Sequence, residues 1–297
     1  MTDRGRVVAA RVCAHLFGAL VCNAVVLSAQ VAATHSPTWA AKIDSLAHSP
    51  GPRWAIAHSA HFNVYVEKVS GAFSTRAILD SLEAAWTHDS ALIGTSVPQA
   101  PPVSVFVTAS RTRFSAMLSP QNRGVTTWTP EGFDLIILIH NDSVRAYTRH
   151  EVMHVISRRA WCQNARSAYW LVEGLATFAD GRCQATTIDA AAREVLARAP
   201  ATTIQDVTRK FLELAQDSRT RAGAYVLAGT LTGYLWETRG AAGVKALWQG
   251  TDTLSTEPSR TTTFLVDPTD AWHAYVKRVA GGRPGITDES LRRFGCG

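Results

Sequence analysis

The residues in this chain best equipped for chemistry lie in Tyr147-Thr-Arg-His150-Glu151-Val-Met-His154-Val-Ile-Ser157, which carries the pattern H-E-x-x-H. On an α-helix, residues four apart lie about 40° apart in azimuth and about 6 Å apart along the axis. The imidazoles of His150 and His154 can then reach one metal ion. Glu151 points in a neighbouring direction, where its carboxylate could hold a water at the metal rather than the metal itself. Random placement of the chain's ten His and ten Glu among 297 residues would produce about 0.01 such matches, so the pattern is informative by itself. The competing reading is a solvent-facing helix with two surface histidines. The apolar setting Val152-Met-His-Val155-Ile156 argues against it, because unpartnered polar groups are costly there.

A catalytic metal site of this kind needs three protein ligands and one open position. The third candidate is Glu173. The segment Tyr169-Trp-Leu-Val-Glu173-Gly-Leu-Ala-Thr-Phe178 is predicted to be helical and is apolar except at Glu173 and Thr177. Eighteen residues separate His154 from Glu173. That is enough for one helix to end, a loop to turn near Cys162–Ser167, and a second helix to return antiparallel. The alternative role for Glu173 is a charge near a helix N-terminus, interacting with the dipole.

These two segments, His150-Glu-Val-Met-His154 and Trp170-Leu-Val-Glu173-Gly174-Leu-Ala176, resemble the gluzincin zinc metallopeptidases of the peptidase MA clan, most of all the peptidase MA-like family. A weaker likeness covers most of the chain after the leader: His61–Glu67, Asp134–Ile139, and Ala224-Tyr225-Val-Leu-Ala228-Gly229 leading into Tyr234-Leu235 and Gly240. The resemblance implies a zincin-like fold, peptide-bond hydrolysis and one Zn2+ per chain. It implies His150, His154 and Glu173 as the zinc ligands and Glu151 as the general base. It also implies that a Tyr or His from a later helix faces the oxyanion. Tyr225 is the candidate, because its stretch is similar to the family's Y-x-x-x-G segment; packing in a helical core is its other reading. Tyr147, three residues before His150, is a less favoured candidate.

The chain departs from the family's pattern in two places. Some gluzincins carry an Asp four residues after the ligand Glu, orienting a zinc-bound His; here that position is Thr177. Orientation then falls to Thr177, a backbone carbonyl or another carboxylate such as Asp180. No G-x-M-E-N segment precedes the metal helix, so the amine-anchoring device of the related aminopeptidases is not visible, which favours an endopeptidase or an unassigned specificity. The rival from another class is a non-catalytic zincin-like module that binds peptide or glycan at the cell envelope, a role that would not require Glu151.

The elements that must position these residues follow from periodicity. His61–Glu67 alternates Phe62, Val64 and Val66, a strand with one buried face. Ser74 caps a helix running to about Ile93, with Ile78, Leu79, Leu82, Ala85, Trp86 and Leu92 on one side. Pro101–Val107 reads as a second strand, Ser110–Leu118 as a short helix, and Gly124–Thr129 and Asp134–Ile139 as strands around a turn at Pro130-Glu-Gly132. Asn141-Asp142-Ser143 supplies a start for the H-E-x-x-H helix, which runs to about Arg159. If Asp134–Ile139 is a sheet edge, an extended peptide could pair with it; its run Leu135-Ile-Ile-Leu-Ile139 fits a buried inner strand equally well. After Ala168 the patterns are helical: Tyr169–Ala179, Ile188–Ala197, Ile204–Ala215, Ala222–Glu237, Ala241–Trp248 and Thr269–Val279, punctuated by Gly181, Pro200 and Thr238-Arg239-Gly240. The fold class is therefore α+β. A front lobe with a mixed sheet (about 34–160) and a helical rear lobe (about 161–297) would form one domain with the motif at their junction.

Composition bounds the setting. The chain is 46% hydrophobic and 18% charged, an ordinary globular balance. Its formal charge is +6, but the Lys and Arg are scattered, and no basic run or aromatic–basic interleaving suggests nucleic acid. Three Arg precede the apolar run Val12–Ala33, and Val31-Ala-Ala33 has small residues where a signal peptidase would cut. Residues 1–33 therefore read as a secretory signal, making the protein periplasmic or extracellular. The alternative is an uncleaved membrane anchor, since the 22 residues from Val12 to Ala33 could span a bilayer. Three cysteines follow the leader, Cys162, Cys183 and Cys296. A Cys162–Cys183 bridge would staple the two halves of the site, and free or buried thiols are the alternative.

Overall fold

The computed structural model describes residues 54–68, 74–110, 112, 124–128, 134–141, 146–161, 168–183, 186–250 and 267–281. All of these except Trp128 belong to one compact unit, residues 50–127 with 133–297. The predicted leader, the short helix Ser110–Leu118 apart from Ser110 and Thr112, and the turn at Pro130–Gly132 lie outside the described residues.

The strands are β1 (Trp54–His58), β2 (Phe62–Glu67), β3 (Val103–Thr108), β4 (Gly124–Trp128) and β5 (Asp134–Ile139). They form one sheet in the order β1-β2-β3-β5-β4. β1 and β2 are antiparallel, whereas β2, β3 and β5 are parallel in register, Phe62 opposite Val103 and Val105 opposite Ile136. That register aligns Phe62, Val64 and Val66 with Val103, Val105 and Val107 and with Ile136 and Leu138, giving one continuous apolar face. The other face of β5, Leu135, Ile137 and Ile139, is buried too. A strand buried on both sides reads as an uninterrupted apolar run, and that is why Asp134–Ile139 does not alternate. It is an inner strand between β3 and β4, so peptide pairing along β5 is ruled out; the edge on that side is β4.

Seven helices complete the described residues, and the class is α+β with a mixed sheet. They are α1 (Thr75–Ile93), α2 (Thr148–Trp161), α3 (Tyr169–Asp180), α4 (Ile188–Arg198), α5 (Ile204–Gln216), α6 (Arg221–Trp248) and α7 (Thr269–Ala280). A two-stranded hairpin, β6 (Arg182–Cys183) with β7 (Thr186–Thr187), follows α3. Ser74 caps α1 by accepting from the amide of Ala77, as its position predicts. Ala222–Glu237 and Ala241–Trp248 are one element bent at Gly240, whose φ of 65° and ψ of 179° only glycine adopts readily.

One local reading is corrected. The H-E-x-x-H helix starts at Thr148, not at Asn141–Ser143. Asn141 instead forms a β-bridge and donates to the Ala109 carbonyl at 3.1 Å, which holds that residue in the sheet layer. The strand β1 and the β6–β7 hairpin carry weak signals: β1 alternates only Trp54 and Ile56, with Ile56 exposed, and the hairpin strands are too short to show a period. Among the described residues, no helix is long and apolar enough to cross a membrane.

The metal-motif helix α2 is fastened to the sheet at its C-terminal end. Asp134, the buried first residue of β5, accepts from Arg158 and, at 2.6 Å, from Arg159 Nε. Arg159 also lies over the Trp86 ring of α1, 5.6 Å from its centroid, and donates to the Pro101 carbonyl at 2.9 Å. A buried carboxylate bridging two guanidiniums is directional, so it fixes the rotation of α2 as well as its position.

Candidate metal centre

Helical spacing and a helix–helix contact bring three donors together. His150 and His154 lie one turn apart on α2, with ring planes 84° apart and centroids 4.8 Å apart. Glu173 comes from α3, which packs against α2. His150 Nε2 lies 3.2 Å from His154 Nε2 and 3.2 Å from Glu173 Oε2, and His154 Nε2 lies 3.5 Å from the same oxygen. Two donors each about 2.0–2.1 Å from a tetrahedral ion stand about 3.3–3.4 Å apart. The three separations match that spacing, and the set of two imidazoles and one carboxylate could hold a metal ion.

The sequence places Glu173 through its neighbour. A Cβ on Gly174 would lie 2.6 Å from Thr232 Oγ1 and 2.7 Å from the Ala228 carbonyl oxygen, so α3 approaches α6 more closely than any side chain would allow. One turn on, Thr177 Cγ2 fills the space over Gly229, where an added Cβ would sit 2.8 Å away. The E-G dipeptide thus joins candidate ligand and packing: Gly174 seats α3 on α6 and its predecessor faces α2.

The electrostatics is that of a carboxylate buried against imidazoles. Burial favours the neutral form of Glu173, but the charges of His154 and His150 and the hydrogen bonds from both rings outweigh it and hold the carboxyl well below the usual range. Burial pulls His150 down, yet the Glu173 hydrogen bond and the charges of Glu151, Glu173 and Asp180 raise it above an ordinary imidazole. Tyr225, half-buried on α6, has its ring centroid 6.1 Å from that of His150 and 5.4 Å from that of Phe211. Burial, followed by the charge of Glu173, pushes its phenol well above the ordinary value.

Glu151 is 4% exposed. Its carboxylate accepts from Thr126 Oγ1 at 2.6 Å, and the same hydroxyl lies 3.0 Å from the Glu151 main-chain oxygen. Tyr147, by contrast, precedes α2 and accepts from the Glu151 amide through its carbonyl. With Ser81, Arg149, Asp180 and Arg182 it lines a cavity whose walls include none of the three ligand candidates. Thr177 is buried, and its hydroxyl has no hydrogen-bond partner among the described residues, so it packs rather than orients a histidine. Asp180 acts on His150 through charge.

Sequence reasoning missed Asp89 of α1. It is fully buried, its Oδ1 meets His88 Nδ1 at 2.9 Å, and its Oδ2 has no hydrogen-bond partner among the described residues. Burial raises its pKa to about 8, against the opposing pull of Arg149, while Asp180 adds to the rise and His150 opposes it. A signal existed: Leu82, Ala85, Asp89 and Ile93 share one helical face, and an acid on that face has to have a reason. Gly124 and Thr126 were read only as strand residues; nothing in their types announces contact with Glu151.

Cys183 is buried and disulfide-bonded, with its partner outside the described residues. The chain matches no protein-family model, and no curated protein sequence matches it.

Proposed function

We propose that this protein is an exported, zinc-dependent peptidase of the gluzincin type, with a zincin-like fold. The observation that carries the reading is the meeting of His150, His154 and Glu173 at separations of 3.2, 3.2 and 3.5 Å, from the H-E-x-x-H helix and the W-x-x-E-G-L-A helix. Two imidazoles and a carboxylate form the ligand set of a catalytic zinc site that keeps one position open.

Bound there, zinc would polarise the scissile carbonyl and make water a nucleophile near neutral pH. The chain's own residues supply the rest. Glu151 takes the proton from the attacking water and delivers it to the leaving amine. Tyr225, a phenol that keeps its proton at neutral pH, donates to the substrate carbonyl oxygen as negative charge gathers on it. The apolar surroundings of α2 exclude competing water and strengthen each of these interactions. With β5 internal, the edge strand beside it that could pair with an extended peptide is β4.

Metal analysis and a peptide-library digest test the reading. The purified chain is expected to bind about one zinc, which His150→Ala loses. Glu151→Gln is expected to keep the metal and lose hydrolysis. A chain that takes up no zinc when it is supplied refutes the metal centre. A zinc-loaded chain that cleaves nothing in a broad library refutes the peptidase and leaves a binding module.

A further inference from the structure

We infer that Gly124 and Thr126 of the edge strand β4 are positioning residues for Glu151; the inference rests on the peptidase reading and adds the part of the machinery that lies outside both motifs. Residues two apart on a strand project to the same face, so Gly124 and Thr126 both meet the start of α2. Thr126 donates one hydroxyl hydrogen toward two acceptors of a single residue, the Glu151 carboxylate at 2.6 Å and the Glu151 main-chain oxygen at 3.0 Å. The nearer acceptor is the charged one, and charge-assisted hydrogen bonds are the shorter and stronger kind. β-Branching makes the Thr126 χ1 stiff, so the strand dictates where that hydroxyl points.

Gly124 completes the hold from the other carboxylate oxygen. A Cβ at Gly124 would fall 2.3 Å from Glu151 Oε1 and 2.8 and 2.9 Å from its Cδ and Cγ. The edge strand therefore lies directly on the carboxylate, and any side chain at 124 would displace it. A glutamate on an exposed helix face samples several rotamers about three bonds, and freezing them carries an entropic cost. Here one oxygen is bonded by Thr126 and the other is confined by the bare Cα of Gly124. The same strand that borders the sheet thus sets where the proton acceptor stands, and a general base works only within hydrogen-bond reach of the proton it takes.

The test combines a metal-free and a metal-loaded measurement on the full chain. In metal-free protein, Thr126→Val, Glu151→Met and the double variant form a thermodynamic cycle read by denaturant unfolding. A coupling of about tenfold in the unfolding constant is expected, the size of a hydrogen bond to a charged group. Effects that simply multiply, within about twofold, overturn the contact. In zinc-loaded protein, Thr126→Val is expected to lower kcat about tenfold with KM and zinc content unchanged, Thr126→Ser to recover most of the loss, and Gly124→Ala to behave as Thr126→Val does. Unchanged kcat in Thr126→Val overturns the positioning role. If the unsubstituted chain hydrolyses no peptide, the peptidase reading fails, and the metal-free cycle still decides whether Thr126 holds the Glu151 carboxylate.

Discussion

Replacing Gly174 with alanine probes the link between packing and the candidate metal centre, because the change adds one methyl group beside the candidate ligand Glu173. The new Cβ would stand 2.7 Å from the Ala228 carbonyl oxygen and 3.0 Å from its carbon, both main-chain atoms of α6 that cannot swing aside. Restoring ordinary contact requires widening the gap from 2.7 Å to about 3.4 Å. Overpacking of this kind costs about 1–3 kcal/mol, and the better helix propensity of alanine returns about 1 kcal/mol. The net loss is about 0–2 kcal/mol, or up to roughly 6 °C in Tm for a domain of this size. Glu173 is carried along with α3. Metal sites tolerate only about 0.2 Å in their ligand distances, so zinc affinity should fall about 10- to 100-fold. Circular dichroism melts of metal-free protein and a competitive chelator titration measure the two effects. Gly223→Ala is the control: its Cβ would meet Val195 methyls at 3.8 Å, an ordinary contact, so it should stabilise by up to about 1 kcal/mol. If both variants melt higher than the unsubstituted chain and bind zinc equally well, the close approach of α3 to α6 is refuted.

Asp89 governs a pH dependence of stability. Its folded pKa of about 8 exceeds the unfolded value of about 3.9, so the folded state holds the extra proton between these values. The stability this contributes is full below pH 4 and lost as pH rises through 8, at up to about 1.4 kcal/mol per pH unit. Asp89→Asn should therefore gain stability relative to the parent as pH rises from 5 to 8 in urea unfolding, and a constant difference would contradict the burial. Asp134→Asn should cost about 3 kcal/mol, because two guanidiniums lose a buried carboxylate partner; equilibrium denaturation reads this directly, and a loss under about 0.5 kcal/mol would show that the pairing does not anchor α2. A metal ion held by His150 would have to displace its proton, which the neighbouring carboxylates hold more tightly than an ordinary imidazole does, so chelator-measured zinc affinity should fall as pH drops. Affinity independent of pH between 5.5 and 7.5 would exclude His150 as a ligand.

Much of this molecule was legible along the chain, and the reason is locality. The spacing of His150 and His154 on a helix, the Ser74 cap, the lone acid in the apolar Trp170–Ala176 turn, and the break at Gly240 are all settled by interactions within a few residues. The α+β division into a sheet-bearing front and a helical rear follows from a hydrophobic period of two giving way to one of 3.6. The start of α2 was misplaced because Asn141 has two competing uses, a helix start or a sheet bridge, and its partner at Ala109 is 32 positions away. β5 was legible as a strand but not as an inner one, since an apolar run does not say what pairs with it. Only tertiary structure could decide what stands around Glu151. Gly124 and Thr126 are ordinary strand residues until the sheet order places β4 against α2. Asp89 is an unremarked helix acid until α1 is buried against the metal-motif helix. Sequence determined which groups could bind a metal and take a proton, because those properties belong to side chains at helical spacing. The fold decided which neighbours hold and charge them, because contact across long loops depends on how the layers close.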